Sequence, residues 1–123
     1  MYATTYAKAK DVADAVSQLK GADEGKLLAG GQTLIPTLKQ RLASSDCLID
    51  LSDAGLSGIS DEGGSIRIGA MTRHVEVETS ELVKKAIPAL AALASGIGDR
   101  QVRNCGTIGG SVANNDPSAC YPS

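Results

Sequence analysis

Two glycine pairs constrain this chain more than anything else in it: Leu28-Ala29-Gly30-Gly31-Gln32-Thr33 near the start and Gly106-Thr107-Ile108-Gly109-Gly110-Ser111 near the end. Each pair follows an apolar residue and precedes a small polar one at an expected helix start. Glycine admits dihedrals closed to other residues and lets backbone approach a ligand, so successive N–H groups there can point at an anion. Two such loops facing one cleft would suit a diphosphate, and a dinucleotide cofactor is the first expectation. A structural turn is the alternative for both, since 14 glycines yield pairs by chance and Gly63-Gly64 reads as a plain turn. No Gly-Lys-Ser/Thr follows either pair and neither fits G-x-G-x-x-G, which weighs against ATPase and Rossmann readings.

The 123 residues suffice for one ordinary domain or two small lobes, and 42% hydrophobic with 21% charged residues is a globular balance. A net charge of -2 lacks the basic face that nucleic acid demands. Three Tyr without Phe or Trp leave few stacking platforms for a flat ring. No stretch approaches the ~20 apolar residues of a membrane span, and Met1-Tyr2-Ala3-Thr4-Thr5 lacks the blocks of a secretory signal, so a cytoplasmic location is expected. Cys47, Cys105 and Cys120 match neither a zinc site nor a disulfide scaffold, and each is expected to be a small buried hydrophobe.

Asp11 is placed to cap a helix whose apolar positions are Val12, Ala15, Val16 and Leu19, closed by Gly21. Lys26–Ala29 reads as a strand running into Gly30-Gly31, followed by a second helix with Leu34, Ile35, Leu38 and Leu42 on one face. Pro36 suits its first turn and Lys39 and Arg41 its C-terminal end. Cys47–Leu51 reads as another strand, making 1–52 a small lobe of helices on a short parallel sheet, and 53–123 a second lobe, with Ser52–Ser57 as the junction. In the second lobe, Gly58–Ser60 and Ser65–Gly69 flank the turn Asp61–Gly64 as a hairpin. Thr72 and Ser80 are expected to cap helices over 73–78 and 81–86, and Pro88 to open one that carries Leu90, Leu93 and Ala94 inward and stops at Gly96. Residues 97–111 read as a polar loop, and Pro117 as the start of a helix that has barely begun at Tyr121-Pro122-Ser123, as in a piece of a longer polypeptide.

No catalytic side chain and no metal-ligand cluster stands out. His74, the single histidine, is expected on an exposed helix surface beside Arg73 and Glu76. Asp99-Arg100-Gln101-Val102-Arg103-Asn104 reads either as a solvated loop or as a place where Arg100 or Arg103 offsets pyrophosphate charge or docks a partner. Asn114, Asn115 and Asp116 suit ribityl hydroxyls, or turn and cap chemistry before Pro117.

Taken together, Ala29–Pro36, Arg41-Leu42, Ile68-Gly69-Ala70-Met71-Thr72, Gly98–Asn104 and Thr107–Pro117 give the whole chain a resemblance to a known family. It is similar to the N-terminal part of the FAD-binding medium subunit of molybdenum hydroxylases, the carbon monoxide dehydrogenase and xanthine dehydrogenase family. The resemblance implies an α+β, two-lobed FAD-binding fold of the vanillyl-alcohol oxidase and p-cresol methylhydroxylase type, its second lobe incomplete. It assigns the pyrophosphate to Leu28, Ala29, Gly30, Gly31, Gln32 and Thr33 and to Thr107, Ile108, Gly109, Gly110 and Ser111. Thr33, Thr107 and Ser111 would add hydroxyl contacts, and Asn114 and Asp116 would lie along the ribityl chain. Cys120 stands where relatives often carry an acid. Gln32 occupies the place at which some relatives attach flavin through histidine, so the FAD is expected to be non-covalent. The implied partners are a small subunit with two 2Fe-2S clusters and a large molybdopterin subunit, with electrons passing through FAD to an external acceptor. The implied role is thus electron transfer in an oxidoreductase; a piece that lacks the rest of the second lobe would hold FAD poorly and would not turn over. A non-catalytic scaffold or docking fragment with an incomplete cofactor site is the alternative, and a covalent-flavin oxidase relative a more distant one.

Overall fold

The computed structural model describes residues 1–123 and divides into two compact units, Met1–Leu56 and Ser57–Ser123. In the first, strands β1 (Thr5–Lys8), β2 (Lys26–Leu28) and β3 (Cys47–Asp50) form a parallel sheet of order β1-β3-β2, with helices α1 (Val12–Gly21) and α2 (Leu34–Lys39) in the connections. Parallel pairing buries the middle strand, and β3 accordingly has Leu48 and Ile49 buried on its two opposite faces, Ile49 with no exposed surface. Ile49, Ala9 and Ala15 make the core, with Leu19, Cys47 and Leu51 against it.

Local chemistry explains these boundaries. Asp11 caps α1 by accepting from the Asp14 N–H at 2.7 Å, and the Asp14 carboxylate accepts in return from the Lys10 N–H at 2.9 Å. The Asp46 carboxylate accepts the N–H groups of Asp23 and Glu24, fixing the turn that feeds β2. The end of α2 corrects one expectation. The helix stops at Lys39, and Arg41, at φ 59°, closes it with Arg41 N–H to Leu38 O and Leu42 N–H to Thr37 O. That reversal is a Schellman closure built on a non-glycine residue. It throws Leu42 outward, 74% exposed, instead of onto the helix's buried face.

The second unit opens with the antiparallel hairpin β4 (Ile59–Asp61) and β5 (Ile66–Ile68), closed through Glu62 N–H to Ser65 O. Five short helices follow: α3 (His74–Thr79), α4 (Glu81–Ala86), α5 (Pro88–Ser95), α6 (Arg100–Cys105) and α7 (Ile108–Asn114). Val77, Val83, Ala91 and Ala94 form the core, with Ile59, Ile68 and Leu90 packed on it, and alanines on α5 let α3 and α4 come close. Ser80 caps α4 through the Val83 N–H, Pro88 opens α5 and Gly96 ends it.

Three expectations about the elements of this unit fail. Thr72 does not cap α3; Arg73 holds that position, while the buried Thr72 hydroxyl exchanges hydrogen bonds with both N–H and O of Gly58. The stretch 97–111 is not a loop but carries α6, capped by Asp99 on the Val102 N–H, and the start of α7, capped by Thr107 on the Gly110 N–H. Pro117 opens no helix: Asp116 turns the chain by accepting from Ser118 and Ala119 N–H, and 117–122 stays in turns. No helix in the chain is long and apolar enough to cross a membrane.

Candidate functional site

The first glycine turn sits where β2 hands over to α2. Leu28 O accepts from Leu51 N–H at 3.0 Å, which anchors the strand end. Gly31 then takes φ 72°, a left-handed value that a side chain resists, and its carbonyl accepts from Ile35 N–H at 3.0 Å to start the helix. An added Cβ would also press on Ile35 Cγ1 at 3.0 Å. The N–H groups of Ala29, Gly30, Gly31, Gln32 and Thr33 donate to no backbone or side-chain acceptor in the chain. Thr33, at the N-cap of α2, makes no capping bond of its own. Gln32 and Thr33 are exposed; Leu28, Ala29, Gly30 and Gly31 are half-buried. Five adjacent donors left without an acceptor ahead of a helix start are the kind of group that an anion can engage.

The second turn is built differently. Ile108 N–H donates to Thr72 O at 3.1 Å, Gly109 N–H to Ala70 O at 2.8 Å, Gly110 N–H to Thr107 Oγ1 at 3.1 Å and Ser111 N–H to Thr107 O at 3.1 Å. Of the five amides from Thr107 to Ser111 expected to face an anion, the last four are therefore engaged within the unit. Glycine is required at 109 for packing, because a Cβ there would stand 2.5 Å from Ala70 O and 2.6 Å from Ala70 Cβ. Thr107 is buried and its hydroxyl serves the cap. Ser111 is half-buried, while Asn114 and Asp116 are exposed at the exit of α7. Asn115 between them adopts φ 51° and lets the chain reverse. Ser111, Asn115 and Asp116 line a groove of about 560 Å³ with Val112, Ala119 and Tyr121.

His74 is not on an exposed surface; it is 4% exposed. The bridge between Arg73 and Thr107 brings the start of α3 against the second turn, with His74 N–H on Gly106 O at 3.0 Å. Its ring Nδ1 lies 2.9 Å from Tyr121 Oη. Burial pushes the His74 pKa below 6.5, and burial followed by the Cys120 charge pushes Tyr121 up to about 12. The unfolded chain therefore takes up the histidine proton first as the pH falls. The stability from a neutral His74 is complete above pH 6.5 and is lost as the pH drops below it toward the folded value.

Arg103, offered from the sequence as a pyrophosphate partner, is committed elsewhere. Its Nε donates to Glu78 at 3.0 Å and Nη1 to Ile97 O and Gly98 O, each at 3.3 Å. Arg100 is exposed. Among the cysteines only Cys47 is half-buried; Cys105, ending α6, and Cys120, in the turns beyond α7, are exposed and not the buried hydrophobes expected.

Residues 2–123 match the family described as the FAD binding domain in molybdopterin dehydrogenase. The carbon monoxide dehydrogenase medium chain of Afipia carboxidovorans is 42% identical over 119 residues, covering 95% of this chain and 41% of that protein. The glyceraldehyde dehydrogenase medium chain of Sulfolobus acidocaldarius is 38% identical, covering 96% and 42%. Among solved structures, carbon monoxide dehydrogenase from Hydrogenophaga pseudoflava superposes with a TM-score of 0.96 at 41% identity, over 98% of this chain and 43% of that one. The chain thus spans a little over two fifths of the length of these relatives. The mixed helix-and-strand fold is that of the FAD-binding domain of a carbon monoxide dehydrogenase medium chain. On this footing the chain belongs to the family of FAD-binding domains of the molybdopterin dehydrogenases.

Proposed function

We propose that this chain binds FAD non-covalently as part of the electron-transfer subunit of a molybdenum hydroxylase, in the two-lobed manner of vanillyl-alcohol oxidase. The observation that carries the reading is the row of five unpaired N–H groups from Ala29 to Thr33. Those amides take the pyrophosphate, with Leu28 holding the turn to the sheet and the Thr33 hydroxyl at the helix start. The second turn contributes chiefly through shape. Thr107, Ile108, Gly109 and Gly110 set the start of α7, so that the Ser111 hydroxyl, Asn114 and Asp116 are offered to the ribityl chain. Flavin accepts electrons singly and releases them singly or in pairs, and the protein supplies placement and electrostatics. An iron-sulfur small subunit and a molybdopterin large subunit are the proposed partners, in the cytoplasm.

Titration of the flavin's fluorescence with this protein, carried to high protein concentration, is expected to show weak but saturable binding. Acid precipitation of the complex should then leave all of the flavin in the supernatant. Flavin retained in the pellet would contradict the non-covalent assignment through Gln32, and a flat titration would contradict the FAD assignment itself.

A further inference from the structure

The lone histidine has a more specific place than its burial alone requires. Its backbone N–H holds Gly106 O, and its ring edge lies so close over Gly106 that a Cβ there would be 2.7 Å from Nε2 and 2.8 Å from Cδ2. On its other side Nδ1 meets Tyr121 Oη at 2.9 Å, with ring centroids 5.4 Å apart. Tyr121 in turn lines the groove with Ser111, Asn115 and Asp116. One side chain therefore touches both Gly106, just ahead of the Thr107 cap of α7, and the segment that returns past the exit of α7. We propose that His74 is a positioning residue for the flavin, tying the second glycine turn to Tyr121 and so fixing the groove that Ser111 and Asp116 line, and that the tie holds only while the imidazole is neutral. This rests on the reading that the chain binds FAD.

The surroundings offer a charged ring nothing but the tyrosine. Helix α5 carries no ionisable side chain. On α4, Glu81 and Lys84 pair with each other at 3.1 Å and Lys85 is exposed. On α6, Arg103 pairs with Glu78 of α3, while Arg100 and Cys105 are exposed. Beside His74, Arg73 is exposed and Glu76 is turned back onto the Arg73 N–H. Tyr121, at about 12, stays neutral across the working range, and Cys120 is exposed. A neutral ring shares one hydrogen with Tyr121 Oη. A protonated ring places a positive charge on a side chain that is 4% exposed and bonded to no carboxylate, a cost that the shared hydrogen does not offset, so the charged form favours rearrangement of the 106–121 segment.

The test is the dissociation constant for FAD between pH 8 and pH 5.5 in the full chain and in His74→Asn, which keeps a polar atom near the Nδ1 position. The wild type is expected to bind about fivefold more weakly at the lower pH, the equivalent of one lost hydrogen bond, with His74→Asn level across the range. Binding at pH 8 with no pH step in the wild type would overturn the positioning role alone. No binding at pH 8 would overturn the flavin reading and this role with it. Should His74→Asn fail to fold, Tyr121→Phe at pH 8 serves in its place, read by amide hydrogen exchange without flavin. Faster exchange confined to residues 106–121 supports the tie; unchanged exchange there, or equal loss at Val83 and Ala94 in the core, overturns it.

Discussion

Gly109→Ala is expected to lower the stability of the Ser57–Ser123 unit by about 3 kcal/mol, the upper part of the range for overpacking. The clash is with Ala70 backbone, 2.5 Å from its oxygen and 2.9 Å from its Cα, rather than with a flexible side-chain tip that can rotate away. Relief demands that the start of α7 move off the Gly69–Thr72 turn. The hydrogen bonds from Gly109 to Ala70 and from Ile108 to Thr72 then open together. Urea denaturation followed by circular dichroism checks this through the midpoint. The contrast is Gly21→Ala, where the new methyl group meets open space at the end of α1. That change is expected to be neutral or to stabilise by about 0.5 kcal/mol, since it mainly restricts the unfolded chain. Similar losses for the two variants would contradict the view that Gly109 is fixed by packing.

Ile49→Ala is expected to cost about 4 kcal/mol in the Met1–Leu56 unit. Ile49 has no exposed surface, sits on the central strand and contributes a large share of a core otherwise built on Ala9 and Ala15. Small neighbours cannot swell to fill the space, so the cavity term persists alongside the lost burial. Leu42→Ala, at a leucine 74% exposed, is expected to stay within about 0.5 kcal/mol of wild type. The midpoints of the same urea transition separate the two. A large loss at Leu42 would restore the expectation that it belongs to the buried face of α2.

The elements that could be read from the residues are those whose signal is local. Asp11 with its apolar spacing, Ser80, Pro88 and the turn Asp61–Gly64 each fix structure with neighbours a few residues away, and the structure has α1, α4, α5 and the β4–β5 hairpin at those places. Strand β1 escaped because Thr5-Tyr6-Ala7-Lys8 forms an outer strand with three exposed residues, so no apolar alternation marks it. Helices α6 and α7, of six and seven residues, are too short for periodicity to show, and only the caps Asp99 and Thr107 announce them. The two glycine pairs look alike in sequence yet differ in the structure for a non-local reason. The amides at Ile108 and Gly109 find carbonyl partners at Thr72 and Ala70, more than thirty residues earlier in the chain. The burial of His74 has the same origin, since Gly106 and Tyr121 reach it from distant sequence. Family membership, by contrast, was legible because motifs such as Ala29–Pro36 and Thr107–Pro117 are long and ordered.

The first glycine turn is the proposed seat of the pyrophosphate. At 123 residues the protein suits two-dimensional ¹⁵N–¹H spectra, in which each backbone amide from Ala29 to Thr33 reports separately. Addition of FAD is expected to move the signals of Ala29, Gly30, Gly31, Gln32 and Thr33 to lower field as they donate to phosphate oxygens, and ADP, which shares the diphosphate, is expected to move the same five. Saturable binding of FAD that leaves those five signals where they were would contradict the account.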